Sequence, residues 1–144
     1  MTVAVYRAPM RSRRDDIELR ATIERARTRG LCGFGGPIQP PPDDRLARRI
    51  ARFREIEEGS FVWTRDSDGL YWLGRIQGPY FYDGDEAAAA VDLVHVRPTR
   101  WLTEPLLEHQ VPAAVIATFR RGGRNFQQTH DSTVGAESLR IWES

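Results

Sequence analysis

Flat aromatic rings and arginines are the side chains of this 144-residue chain best suited to bind something, and their placing fits a planar, negatively charged ligand. Phe34 stands between glycines in Leu-Cys-Gly-Phe-Gly-Gly at 31–36. Trp63 and Trp72 fall in two alternating segments, and Tyr80 and Tyr82 alternate across Gly-Pro-Tyr-Phe-Tyr at 78–82. Trp101 follows His95 and Arg97, which strand alternation puts on one side. Aromatic faces stack on flat rings, and an Arg or His beside them can contact a base edge or a phosphate, or equally make a hydrogen bond that supports the fold. Arg120, Arg121 and Arg124 surround two glycines, a pattern for anion binding by guanidinium forks with backbone amides as a nest. Asn125 and Gln127 beside them are residue types that read a base edge. Each residue also has a purely structural reading: strand tryptophans fill cores, and an arginine loop is often only solvated.

Catalytic patterns are absent from the sequence. The three histidines, at 95, 109 and 130, and the single Cys32 show no metal-ligand spacing. No Gly-x-x-x-x-Gly-Lys phosphate loop occurs, nor a serine in a Gly-x-Ser-x-Gly elbow. The expectation is a protein that is not an enzyme and uses neither metal nor cofactor.

The length and 16.5 kDa mass suit one domain over residues 1–144. A lone cysteine in an apolar stretch, no run long enough to span a membrane and no signal-peptide pattern point to the cytoplasm. The net charge of +1 conceals that all 21 basic residues are arginine. Arginine favours nucleic acid, although a GC-rich genome that favours arginine codons is the main explanation of the usage. The 20 acidic residues argue against tight sequence-blind binding to a long duplex and leave room for a local basic groove.

The elements that must position these residues follow from periodicity. Residues 2–8 read as a first strand, and a helix capped by Asp15 and Asp16 runs to about Arg29 with Leu19, Ile23 and Ala26 inside. A short strand at 31–36 leads to the loop Pro40-Pro-Pro42. A second helix starts at Asp43 and Asp44, with Leu46, Ile50, Phe53 and Ile56 buried and Arg45, Arg48, Arg49 and Arg52 on a solvated face. Asp68-Gly69 signals a two-residue type I′ hairpin turn between strands at 61–64 and 70–76. Residues 83–90 read as a loop with a helical turn, and 91–97 as a strand ended by Pro98. Val115, Ile116 and Phe119 suit a short helix, residues 125–130 a polar strand, and Leu139, Ile141 and Trp142 a last apolar anchor.

In this order the elements resemble the EVE and EVE-like domains of the PUA superfamily, relatives of the YTH readers of methylated RNA. The resemblance rests on Arg7-Ala8 ending the first strand, Gly33-Phe-Gly35, the stretch from Phe53 to Gly59, Gly-Arg-Ile-Gln-Gly-Pro-Tyr-Phe-Tyr at 74–82, His95-Val-Arg97 and Trp101-Leu102. It covers roughly residues 2–130 and departs from many relatives in having Phe34 where they carry Trp, and in the alanines of 83–90. It implies a mixed α/β fold of the α+β kind: a curved, mostly antiparallel sheet of about five to six strands, partly closed as a PUA-like barrel with flanking helices.

The resemblance further implies a non-catalytic module that holds a modified base, methylated or hydroxymethylated, in an aromatic pocket. The candidate base-binding residues are Phe34, Trp63, Trp72, Tyr80, Tyr82, Arg97 and Trp101; Arg120, Arg121 and Arg124 are the candidate phosphate-binding residues. The expected partner is DNA ahead of RNA, with a separate effector such as a nuclease, as in restriction and phage-defence systems, and no membrane. The alternative is a small-molecule, nucleotide-like or protein-interaction module on the same barrel.

Overall fold

The computed structural model describes residues 3–38 and 41–144. The start of the first expected strand at Thr2, and Pro40 of the proline loop, lie outside the described residues. The chain runs β1 (Val5–Arg7), α1 (Leu19–Arg29), β2 (Leu31–Phe34), α2 (Asp44–Glu55), β3 (Phe61–Arg65), β4 (Tyr71–Ile76), β5 (Phe81–Tyr82), α3 (Glu86–Ala90) and β6 (His95–Trp101). A 3-10 turn at Glu108–Gln110, α4 (Ala113–Arg120), β7 (Gln127–Gln128) and α5 (Val134–Glu143) complete it.

The strands form one curled sheet in the order β2-β6-β4-β3-β1-β7, with β5 also paired to β6. All pairings are antiparallel except β1 with β3. β6 makes the curl. Its first residues pair with β2 and β5, while Thr99 to Trp101 pair with β4. Pro98 therefore lies inside the strand, where the neighbours change, rather than ending it. The architecture is the α+β, partly closed sheet with flanking helices that the sequence implies.

Alternation along the strands divides the interior in two. On β3, Phe61 and Trp63 face a core shared with Val5, Tyr71, Leu73, Val115 and Val134, so α4 and α5 cover that face. Val62 on the same strand faces the other core, with Ile23, Leu46, Phe53, Ile76 and Val96, under α1 and α2. Full burial of side chains of this size stabilises by roughly 1.5–3 kcal/mol each.

Local details depart from the sequence reading for identifiable reasons. α1 begins at Leu19, behind Glu18, because the Asp16 carboxylate is taken by the Arg14 guanidinium instead of capping the helix. Asp43 does cap α2, accepting the Leu46 N–H at 2.8 Å. The hairpin connection is longer than two residues: Arg65 and Tyr71 are the last pair, and only Gly69 has positive φ, +84°. The turn is organised by Asp66, whose carboxylate accepts N–H bonds from Asp68, Leu70 and the Trp72 indole. The strand expected at 91–97 starts four residues later, because Asp92 adopts φ +51°.

Candidate nucleic-acid interface

Four rings from four places in the chain meet on the α2 side of the sheet. Tyr6 points there because its neighbours Val5 and Arg7 on β1 point the other way. Phe53 comes from the buried stripe of α2, Phe34 from the end of β2, and Phe126 from the approach to β7. Tyr6 stacks on Phe126 at 5.6 Å between centroids, Phe126 meets Phe53 edge-on at 5.0 Å, and Phe53 contacts Phe34 at 5.1 Å. They line a cleft of about 740 Å³. One wall is the arginine row of α2, Arg45, Arg48, Arg49 and Arg52. Arg13, Asn125, Gln127 and Gln128 line it as well.

Charge is strongly segregated around this cleft. Two further depressions share Arg13 with it: one of about 220 Å³ and one of about 650 Å³, both reaching Arg11 and Arg124. Together the three are lined by nine of the 21 arginines and only three acidic residues, Asp43, Glu55 and Asp92, so a chain of net charge +1 carries a concentrated basic trough. Arg49 lies at its centre, 4.6 Å above the Phe34 ring. Burial, then the like charges of Arg13 and Arg52, lower its pKa, the mark of a cation short of negative charge. These arginines were read from the sequence as a merely solvated face; they are exposed or half-buried, and what they face is an aromatic floor.

The residues singled out from the sequence are dispersed. Phe34 lines both the cleft and the 220 Å³ cavity. Tyr80 and Tyr82 sit beside it around His95, ring to ring at 6.1 and 5.7 Å, and do not line the cleft. Trp63 is fully buried in the core under α5, its indole N–H donating to Ser138. Trp72 packs under the Arg27 guanidinium at 3.4 Å, and Trp101 covers Gly74 while donating to the Leu31 carbonyl. Arg97 is buried, with its donors on the carbonyls of Gly78, Phe53 and Ile56. None of these four reaches the cleft.

Of the arginine trio, Arg124 lines the two smaller depressions, whereas Arg120 pairs with Glu108 and Arg121 bonds the Thr118 hydroxyl. The Gly122 N–H is spent on the Phe119 carbonyl at the end of α4. The loop is held by Arg7, buried on β1, which donates to the carbonyls of Thr118, Gly122 and Asn125. Tyr6, Arg13, Phe126 and Gln128 had no local signal, because nothing near them in sequence marks what they face.

His95 ties the aromatic group together. Its Nε2–H donates to the Gly36 carbonyl at 3.1 Å and its Nδ1 accepts from the Tyr80 hydroxyl at 2.9 Å, an assignment that makes the ring neutral. Burial lowers its pKa from the ordinary 6.5. The unfolded chain therefore binds the proton more readily, and stability present above about pH 6.5 is lost as pH falls through that value. The urea midpoint is expected to drop between pH 7 and pH 5, with a flatter profile in His95→Gln; an equal slope in the variant would place the effect elsewhere.

Among the described residues there is no cluster of three or more His, Cys, Asp or Glu able to hold a metal, and no helix long and apolar enough to cross a membrane. Burial pushes the Cys32 thiol up to about 12, far from a nucleophile's range. No protein-family model matches the sequence, and no curated protein does. Among solved structures, the YTH domain of the Zygosaccharomyces rouxii MRB1 protein, in complex with N6-methyladenosine RNA, is similar at a TM-score of 0.55 and 11% identity. The likeness covers 98% of this chain and 87% of that one. The fold is thus YTH-like, and at this identity the likeness is one of fold.

Proposed function

We propose that residues 1–144 form a single EVE-like domain of the PUA superfamily, a non-catalytic module that binds a nucleic-acid strand and seats one modified base beside Phe34. The observation that carries this reading is the coincidence of nine arginines with a four-ring floor in one connected trough. An unstacked base regains roughly 1–3 kcal/mol on an aromatic face, and guanidinium groups hold the flanking phosphates. Gln128, which pairs with Tyr6 and shares its side of the sheet, lines the same cleft and is of a type that reads base edges. That a YTH domain of similar fold is known in complex with N6-methyladenosine RNA supports the reading. DNA stands ahead of RNA as the strand, with the module acting as the sensor of a restriction or phage-defence system whose nuclease is a separate chain.

In this reading Phe34 and Arg124 keep their roles at base and phosphate. Tyr80 and Tyr82 support Phe34 through His95, and Tyr6, Phe53, Phe126 and the α2 arginines join the site. Trp63, Trp72, Trp101 and Arg97 act in the scaffold.

Fluorescence anisotropy against short DNA and RNA strands, plain or carrying methylated or hydroxymethylated cytosine or methylated adenine, tests the proposal. Steeply salt-dependent binding, tightest to one modified strand, is the expected result. No binding to any strand at low salt would overturn it. The 220 Å³ cavity also suits a free nucleotide, and salt-insensitive binding of a mononucleotide would favour that second reading.

A further inference from the structure

We propose that Asp92 reads the seated base. Its carboxylate accepts a hydrogen bond from an exocyclic amino group, so the 220 Å³ cavity takes amino bases and rejects their keto counterparts. The inference rests on the reading above and adds the chemical class of base.

Asp92 is one of only two non-glycine residues with positive φ among the described residues, at +51°; the other, Met10 at +54°, begins the loop across the cavity. Strained backbone of this kind persists where the surroundings hold it, often at ligand sites. Here the surroundings are built around the carboxylate. Oδ2 accepts the Ser12 hydroxyl at 2.5 Å and Oδ1 the Gly36 N–H at 3.2 Å. At Gly35 a Cβ would come within 2.2 Å of Oδ1, so the side chain occupies space that only glycine leaves free.

The carboxylate lines a cavity whose walls include Phe34 and six arginines, Arg11, Arg13, Arg14, Arg45, Arg49 and Arg124. Among the described residues it forms an ion pair with none of them. A hydroxyl and a backbone amide fix its position and use two of its roughly four acceptor sites. A negative acceptor that none of these arginines contacts directly, although Arg14 feels its charge, complements an N–H donor on a ligand that is anionic elsewhere. A base with its phosphates fits that description. An amino group at C4 of cytosine or C6 of adenine donates to Asp92, whereas a carbonyl oxygen there sets lone pairs against a negative charge.

The test uses the full chain and two pairs of short single strands that differ at one central base: 5-methylcytosine against thymine, and N6-methyladenine against hypoxanthine. The wild type is expected to bind the amino member of at least one pair about ten-fold more tightly, or better. Asp92→Asn keeps the shape, tolerates positive φ and can turn its amide to donate, so the ratio should fall to within about two-fold. Ser12→Ala removes one fixing bond but leaves the carboxylate and should keep most of the discrimination.

A wild-type ratio within two-fold in both pairs overturns the inference. So does equal weakening of both members by Asp92→Asn and Ser12→Ala alike, which would make Asp92 only a clasp between loops. If Asp92→Asn melts far below the wild type, the wild-type ratios and Ser12→Ala decide. Binding without discrimination sinks this inference alone; no binding to any strand at low salt sinks the functional reading along with it.

Discussion

With Arg48, Arg49 and Arg52 replaced together by glutamine, affinity for a short single strand is expected to fall by about 10²-fold or more at low salt. The slope of log affinity against log salt should shrink by about two, since each single-strand phosphate contact contributes roughly 0.7. The three lie on one wall of the aromatic cleft, and Arg49 already feels the like charges of Arg13 and Arg52. Even at the low end of roughly 1.5 kcal/mol for a charge-assisted contact, three lost contacts exceed 10²-fold. Glutamine is a good helix former, so α2 should survive. The control removes equal charge at Arg120, Arg121 and Arg140, which are exposed and do not line the trough. Equal losses in the two triple variants would mean that net charge, rather than the trough, attracts the strand.

That contrast also shows how far the sequence could be read. Period and capping located α2 and its inward stripe of buried Leu46 and Phe53 with half-buried Ile50, because those signals act within one helix. What the outward arginines face was invisible, since Tyr6 and Phe126 reach the cleft through pairing of β1 with β3 and β7. The tryptophans were ambiguous in the sequence for a related reason. A large ring on a strand fits a pocket and a core equally, and only the global curl decides which face is dry. Trp63 lies on the α5 side, and Trp72 is engaged by Arg27 and Asp66. Asp92 was read as an ordinary strand position because nothing in the sequence announces its positive φ. The paired Arg120 and Glu108 had no local signal either, whereas the Asp43 cap, formed within four residues, was fully legible.

Arg97→Met is expected to be the most destabilising single change among those considered, lowering unfolding free energy by about 3 kcal/mol or more. Arg97 is 2% exposed. Nε donates to the Gly78 carbonyl at 2.9 Å, and Nη1 to the carbonyls of Phe53, at 3.0 Å, and Ile56. The last two belong to the C-terminal end of α2, where carbonyls lack the usual helical donors, although the Phe53 carbonyl also accepts the Ile56 N–H at 3.4 Å. Methionine fills much of the space but removes the donor, stranding the Gly78 and Ile56 carbonyls at about 1–3 kcal/mol each and leaving the Phe53 carbonyl only its long bond from the Ile56 N–H. Burial also lowers the Arg97 pKa, the cost of holding a charge there, so the site tolerates the cation only for what it bonds. Arg97→Lys keeps the charge and loses the fork, and should fall between the two. Urea unfolding read beside strand binding separates this role from direct contact with a base. A scaffold residue gives a large fall in midpoint with only a modest change in affinity under folding conditions. A base-contacting residue gives lost affinity at a nearly unchanged midpoint, and that outcome would return Arg97 to the binding site and move the proposed pocket across α2.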